Sequence, residues 1–206
     1  MSDPAMNSLL RWSVENSEAS QTGIKDRPHT QLSPEGLRAL LVGVVSDTKM
    51  MRESMAVVQS DNADNKIKVQ AFDNLLQLVE HIDNANNLEP LKLWTPLVAQ
   101  LEHPEAEIRS RAAWCCAIAV QNNIKSQERI LVLGAIPTLA RMAIQDPEQL
   151  VRKKSILALS SIVRNFQPGL DIAVSHLPED LNSNEKLDAT DMDSVDSLIS
   201  KLRANA

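Results

Sequence analysis

The chain contains no tyrosine, and its 206 residues include two phenylalanines, three tryptophans and five glycines. Sheets and tight hairpins draw on aromatic, β-branched and glycine-rich segments, so this scarcity argues against a β fold. Positive charge is also in deficit. Twenty-one lysines and arginines stand against 27 acidic residues, a formal charge of -6. Phosphate contacts need a concentrated basic surface, so nucleic acid is not the expected partner. Long apolar runs are missing too: the longest, residues 112 to 120, falls well short of the roughly 20 residues that span a bilayer. The opening Met1-Ser2-Asp3-Pro4 is acidic and no apolar stretch with a cleavage site follows, so no secretory signal is expected. The two cysteines, Cys115 and Cys116, are adjacent in an apolar helical stretch, which speaks against a disulfide framework. A soluble protein of a reducing, cytoplasmic compartment is the expectation.

What the chain has is leucine, alanine, isoleucine and valine, within a hydrophobic content of 43%, enough for a sizeable helical core. It also has a period. Pro104-Glu105-Ala106-Glu107-Ile108-Arg109 moved by 43 falls on Pro147-Glu148-Gln149-Leu150-Val151-Arg152, and the match runs on to pair Val120 with Val163 and Asn122 with Asn165. A shift of 41 the other way carries Ile108, Ala112 and Val120 onto Ile67, Ala71 and Val79. Long helices are therefore expected over 65–82, 106–122 and 149–165, each preceded by a shorter apolar helix, Met50 to Val58, Leu93 to Leu101 and Ile136 to Ile144. A helical period of about 40 residues marks a solenoid. The fold expected is all-α, an armadillo/HEAT-like right-handed helical solenoid with capping helices. Asp146-Pro147-Glu148 reads as an N-cap, a first-turn proline and an acid facing the helix dipole, with His103-Pro104-Glu105 a weaker copy.

The layout that follows is an N-terminal helix over 1–20, then a flexible connector and short capping helix from Ser33 to Leu41 over 21–45. The armadillo-like repeats fill 46–177, an Asn- and acid-rich linker 178–188, and a C-terminal capping helix 189–206. The last carries Met192, Val195, Ile199 and Leu202 at helical spacing, with aspartates before and Lys201 and Arg203 after.

Catalytic chemistry finds little support. A nucleophilic cysteine needs a low pKa and access, whereas Cys115 and Cys116 sit mid-helix among alanines, with His29, His81, His103 and His176 scattered elsewhere. There is no zinc-ligand spacing and no glycine-rich phosphate loop. Asp188, Asp191, Asp193 and Asp196 lack the alternation, central glycine and terminal glutamate of a calcium loop and read as helix-start charges. No metal, cofactor or catalytic residue is expected.

What remains is a surface, because equivalent positions on successive long helices line one wall of a solenoid. Counting from the buried row gives Asp73, Gln77 and Glu80 on the first long helix and Arg111, Trp114, Ile118 and Gln121 on the second. The third contributes Lys154, Leu157, Ser161 and Arg164, and Asn84, Asn122 and Asn165 complete the ladder. An exposed tryptophan in such a wall is a binding hot spot; packed between repeats, Trp114 is structural instead. Importin-type armadillo proteins follow a similar tryptophan by an asparagine four residues on, where this chain has Ile118, so an extended basic peptide is a weak match.

The chain resembles the fungal armadillo nucleotide-exchange factors of heat shock protein 70, related to the animal Hsp70-binding protein. The resemblance rests on Leu9-Leu10-Arg11-Trp12-Ser13-Val14-Glu15-Asn16-Ser17, Arg52-Glu53-Ser54-Met55-Ala56-Val57 and Ala71-Phe72-Asp73-Asn74. Its most specific stretch is Asp83-Asn84-Ala85-Asn86-Asn87-Leu88-Glu89-Pro90-Leu91, continued by Leu93-Trp94-Thr95-Pro96-Leu97 and by Ala119-Val120-Gln121-Asn122-Asn123. Family members often carry a glycine-rich patch where this chain has Leu41-Val42-Gly43-Val44-Val45. The resemblance implies that the wall embraces the chaperone's nucleotide-binding domain and accelerates ADP release. It also implies a second element, around Leu9, Leu10 and Trp12, that assists release of clients. A scaffold binding another protein or an extended peptide is the alternative, and a monomer is the default for a capped solenoid.

Overall fold

The computed structural model describes residues 12, 14, 46–178, 181 and 186–206. The chain divides into two compact units, Met1–Ser46 and Asp47–Ala206. In the first, Trp12 and Val14 are helical and stand 40% and 65% exposed. The expected helix turn at Leu9 and Leu10 and the helix from Ser33 to Leu41 lie outside the described residues.

The elements of the second unit are all helices, with no strand among the described residues. Helix α1 (Asp47–Gln59) turns Met51, Met55 and Val58 inward. Helix α2 (Asn65–Val79) starts at Asp64, whose carboxylate accepts the Lys66 N–H at 3.2 Å, and buries Ala71, Phe72, Leu75, Leu76 and Val79. Two full units follow: α3 (Ile82–Asn87), α4 (Trp94–Ala99) with a 3₁₀ turn Gln100–Glu102, and α5 (Ala106–Val120); then α6 (Ile124–Val132), α7 (Ala135–Gln145) and α8 (Gln149–Val163). Helices α9 (Gln167–Ser175) and α10 (Met192–Ala204) close the order.

Each full unit has three helices, where apolar periodicity indicates two. The short α3 and α6 escape that pattern because polar side chains fill part of their inner face: Asn84 in α3, Ser126 and Gln127 in α6. Gln127 shows why polarity is tolerated there. Its amide donates to the carbonyls of Ser161 and Ile162 at 3.0 Å and of Arg164 at 3.1 Å, satisfying the open C-terminal end of α8.

The long helices end about two residues before the expected limits. Asn122 and Asn165 adopt the left-handed conformation, with φ of 52° and 55°, a backbone state asparagine tolerates better than most residues. The chain reverses at these points and the next short helix begins. The proline signals also shift. Helices α5 and α8 start at Ala106 and Gln149, so Pro104 and Pro147 precede the helices and do not sit in the first turn. Asp146 and His103 instead tie down the approach, accepting the backbone N–H of Glu148 and Glu105, each at 3.0 Å.

Arginine brackets fix these junctions. Arg109 donates to the His103 and Pro104 carbonyls at 2.9 and 2.7 Å, and Arg152 copies it on the Asp146 and Pro147 carbonyls at 2.6 and 3.0 Å. Arg109 also reaches into the next unit, gripping both Asp146 oxygens at 2.8 and 3.0 Å, with side chains only 14% and 6% exposed. Burial alone would raise the Asp146 carboxyl pKa, but hydrogen bonds from Arg109 and the Glu148 N–H outweigh it and hold the pKa below its ordinary value.

Helices α2, α5 and α8 pack side by side, with α5 between its neighbours, and α10 lies against α8 through buried Val195, Leu198, Ile199 and Leu202. Asp191 caps α10 by accepting the N–H groups of Asp193 and Ser194, and Asp188 binds Thr190, so these aspartates serve the helix start. Of the expected linker 178–188, residues 179, 180 and 182–185 lie outside the described residues; Leu181 is buried. No helix is long and apolar enough to cross a membrane among the described residues.

Two stability outcomes follow. Because its folded pKa is depressed, Asp146 contributes stability fully above the unfolded carboxylate pKa of about 3.9 and loses it as pH falls through the lower folded value. Asp146→Ala is therefore expected to cost about 3 kcal/mol at neutral pH by urea titration and less in acid, since it strands a half-buried guanidinium. Ser155, wholly buried in α8, has a hydroxyl without a partner, where the equivalent residues of α2 and α5 are Ala71 and Ala112. Ser155→Ala is expected to raise stability by up to about 1 kcal/mol in the same assay.

Candidate functional site

Part of the ladder expected from sequence comes together across α2, α5 and α8. Direct contacts between successive helices establish it. Arg111 of α5 donates from Nε to Oδ1 of Asp73 on α2 at 2.8 Å. One step along, the ammonium of Lys154 on α8 lies 3.3 Å from the centroid of the Trp114 ring on α5. Beyond it, Arg164 pairs with Asp196 of α10 and also touches Ser160 and the Met192 sulfur. Three lateral links thus run α2 to α5, α5 to α8 and α8 to α10.

Around these links the other ladder residues keep access to solvent. Gln77, Glu80, Gln121, Asn122 and Asn165 are exposed, and Ile118, Leu157 and Ser161 are half-buried. Glu80, Ile118, Gln121 and Asn122 share a cavity of about 270 Å³ with Val79, Ile82 and Ala85, at the C-terminal ends of α2 and α5. Ile82 was absent from the ladder read in the sequence, although an apolar residue at the start of a polar helix is a visible signal; it is 57% exposed.

Trp114 is half-buried and packs against the core, so it is at least in part the structural residue that was one of the two readings of the sequence. The Lys154 ammonium of the next long helix lies over its ring. Burial lowers the Lys154 pKa, and the neighbouring Arg111 charge lowers it further.

Asn84 does not belong to the ladder. It is 5% exposed, and its amide donates to Asp47 at 2.8 Å and to the Leu78 carbonyl at 3.0 Å, holding α1 and the end of α2 against α3. The sequence aligned it with Asn122 and Asn165 because all three follow a long helix; the short α3 places it inside the fold. Asp196, conversely, was read only as a helix-start charge and proves to be the partner of Arg164.

Cys115 and Cys116 are fully buried free thiols in α5. Burial drives both thiols toward the neutral form, with Cys116 pushed up to about 12. No group of histidine, cysteine and carboxylate side chains that could hold a metal ion occurs among the described residues.

A helical solenoid with a polar-bridged wall is the class this geometry defines. Fold comparison agrees: the chain superposes on the crystal structure of an engineered protein with a TM-score of 0.55 over 98% of this chain and 84% of that one, at 15% identity. Sequence comparison is more specific. Residues 6–88 match the family model "Nucleotide exchange factor Fes1", and residues 84–171 match the "SIL1/FES1/HPBP1 C-terminal domain". The Hsp70 nucleotide exchange factor FES1 of Gibberella zeae is 47% identical over 98% of this chain and 97% of its own length. That of Coccidioides immitis is 44% identical over 98% of each. The chain belongs to the Fes1 family of nucleotide exchange factors.

Because a thiol reacts as the thiolate and needs access, Cys115 and Cys116 are expected to resist Ellman's reagent in the native protein and to react fully in denaturant. Rapid native labelling would contradict their placement in the core.

Proposed function

We propose that this protein is a cytoplasmic co-chaperone that binds the nucleotide-binding domain of heat shock protein 70 and accelerates release of ADP, without catalysing a bond change itself. The observation that carries the reading is the wall over α2, α5 and α8 in a chain 47% identical, over nearly its whole length, to a protein named as an Hsp70 exchange factor. The wall residues proposed to meet the partner are Asp73, Gln77, Glu80, Arg111, Trp114, Ile118, Gln121, Asn122, Lys154, Leu157, Ser161, Arg164 and Asn165. Segment 1–20, with Leu9, Leu10 and Trp12, is proposed as a separate element that assists client release. Residues 46–177 form the gripping part, and 189–206 serve as its C-terminal cap.

The physical action is differential binding. The wall must hold the opened, nucleotide-poor chaperone more tightly than the closed ADP form, and linkage then requires ADP to weaken the wall's grip by the same factor. ATP refills the emptied site by mass action. No residue of this chain has to touch the nucleotide. The monomer suffices, since one wall meets one partner.

Stopped-flow release of a fluorescent ADP analogue from cytosolic heat shock protein 70 tests this reading. A saturable acceleration with rising concentration of this protein is expected. Gln77→Trp with Gln121→Trp, both at exposed wall positions, is expected to weaken the acceleration about tenfold while leaving the circular dichroism unchanged. An unaltered release rate with the parent protein would leave an armadillo scaffold with another partner.

A further inference from the structure

Within that wall the cations differ in how they are neutralised. Arg111 holds Asp73 and Arg164 holds Asp196, each through a direct ion pair. Lys154 is different: no described carboxylate lies within ion-pairing distance of its ammonium, whose recorded contact is the Trp114 ring at 3.3 Å. The ring gives it an attractive but weak partner. The ammonium is also half-buried and faces the repulsion of Arg111, so it is the least compensated charge of the wall.

We propose that Lys154, clamped over Trp114, is the docking point for a side-chain carboxylate on the partner protein. A half-desolvated cation held in a fixed position loses little further hydration or side-chain freedom when an anion arrives, which makes it a strong electrostatic anchor. Its flanks suit a protein surface better than a phosphate. Ile118, one turn beyond Trp114, and Leu157, one turn beyond Lys154, are half-buried apolar side chains, and the chain's net charge of -6 disfavours polyanions. Trp114 sets the position of the ammonium, and Arg111, already shared with Asp73, adds positive potential beside it.

The inference rests on the exchange-factor reading, and its test separates the two. Binding to nucleotide-free heat shock protein 70 is measured by calorimetry at low and high sodium chloride. The comparison includes parent, Lys154→Met, Lys154→Arg and Lys201→Met, the last an exposed cation of α10. Lys154→Met keeps an aliphatic stem against the ring and removes the charge. It is expected to bind about tenfold more weakly and to lose much of the salt dependence, whereas Lys154→Arg and Lys201→Met stay near the parent. Affinity and salt dependence of Lys154→Met equal to the parent's would overturn the carboxylate anchor while leaving the exchange-factor reading intact. Loss of affinity with the salt dependence unchanged would also overturn it, assigning Lys154 a packing role. Inhibition of the parent by inorganic phosphate, absent in Lys154→Met, would assign the ammonium to a free anion instead. A parent that fails to bind the chaperone overturns the functional reading itself.

Discussion

The architecture depends on the burial of α5. Nine of its fifteen residues are buried, on nearly every side of the helix, and most are small: Ala112, Ala113, Cys115, Cys116, Ala117 and Ala119. Small side chains let α2 and α8 approach from either side, and the burial of two neighbouring surfaces against one helix is what no single repeat could supply. A helix that must bury most of its circumference has no independent existence in water. Everything else is arranged so that α5 is covered: α4 and the 3₁₀ turn lead into it with Trp94, Leu97 and Leu101 buried, and α2 and α8 flank it.

Burial alone would leave the helices free to slide, and polar links fix their register. At the approach to the long helices, Arg109 ties one unit to the next through Asp146. At the far end, Gln127 satisfies the carbonyls of α8, and Asn123 donates to Asn86 at 3.1 Å. Across the exposed face, Asp73–Arg111 and Lys154–Trp114 complete the ties. These last links are partly open to solvent, so each contributes modestly to stability. Their larger effect is preorganisation: a wall whose charged side chains are already oriented gives up less freedom on meeting a partner.

Much of this was legible in the sequence because the repeats are built from long helices with strong apolar periodicity. The expected spans 65–82, 106–122 and 149–165 are found as Asn65–Val79, Ala106–Val120 and Gln149–Val163. The shorter preceding helices were visible for the same reason. Helices α3 and α6 were not, since buried Asn84, Ser126 and Gln127 break the apolar pattern, and their role appears only once a helix end from a neighbouring element is beside them. The same logic explains the ladder. Positions counted along a long helix stay on one face, so Asp73, Arg111, Trp114 and Lys154 come together as expected. Asn84, counted across a helix end, does not, and the Arg164–Asp196 pair depends on a docking of α10 that local sequence does not encode.

We propose that the bridged face of α2, α5 and α8 is where the protein meets its partner. Site-specific photo-crosslinking distinguishes this face from others, with the crosslinking amino acid placed at Gln77, Glu80 or Gln121 on the wall, and at Val132 or Ile172 on α6 and α9. All five positions are exposed, so incorporation leaves the core intact. Adducts with the nucleotide-binding domain of heat shock protein 70 are expected from the three wall positions and none from the other two. Adducts from Val132 or Ile172, with the wall silent, would contradict it.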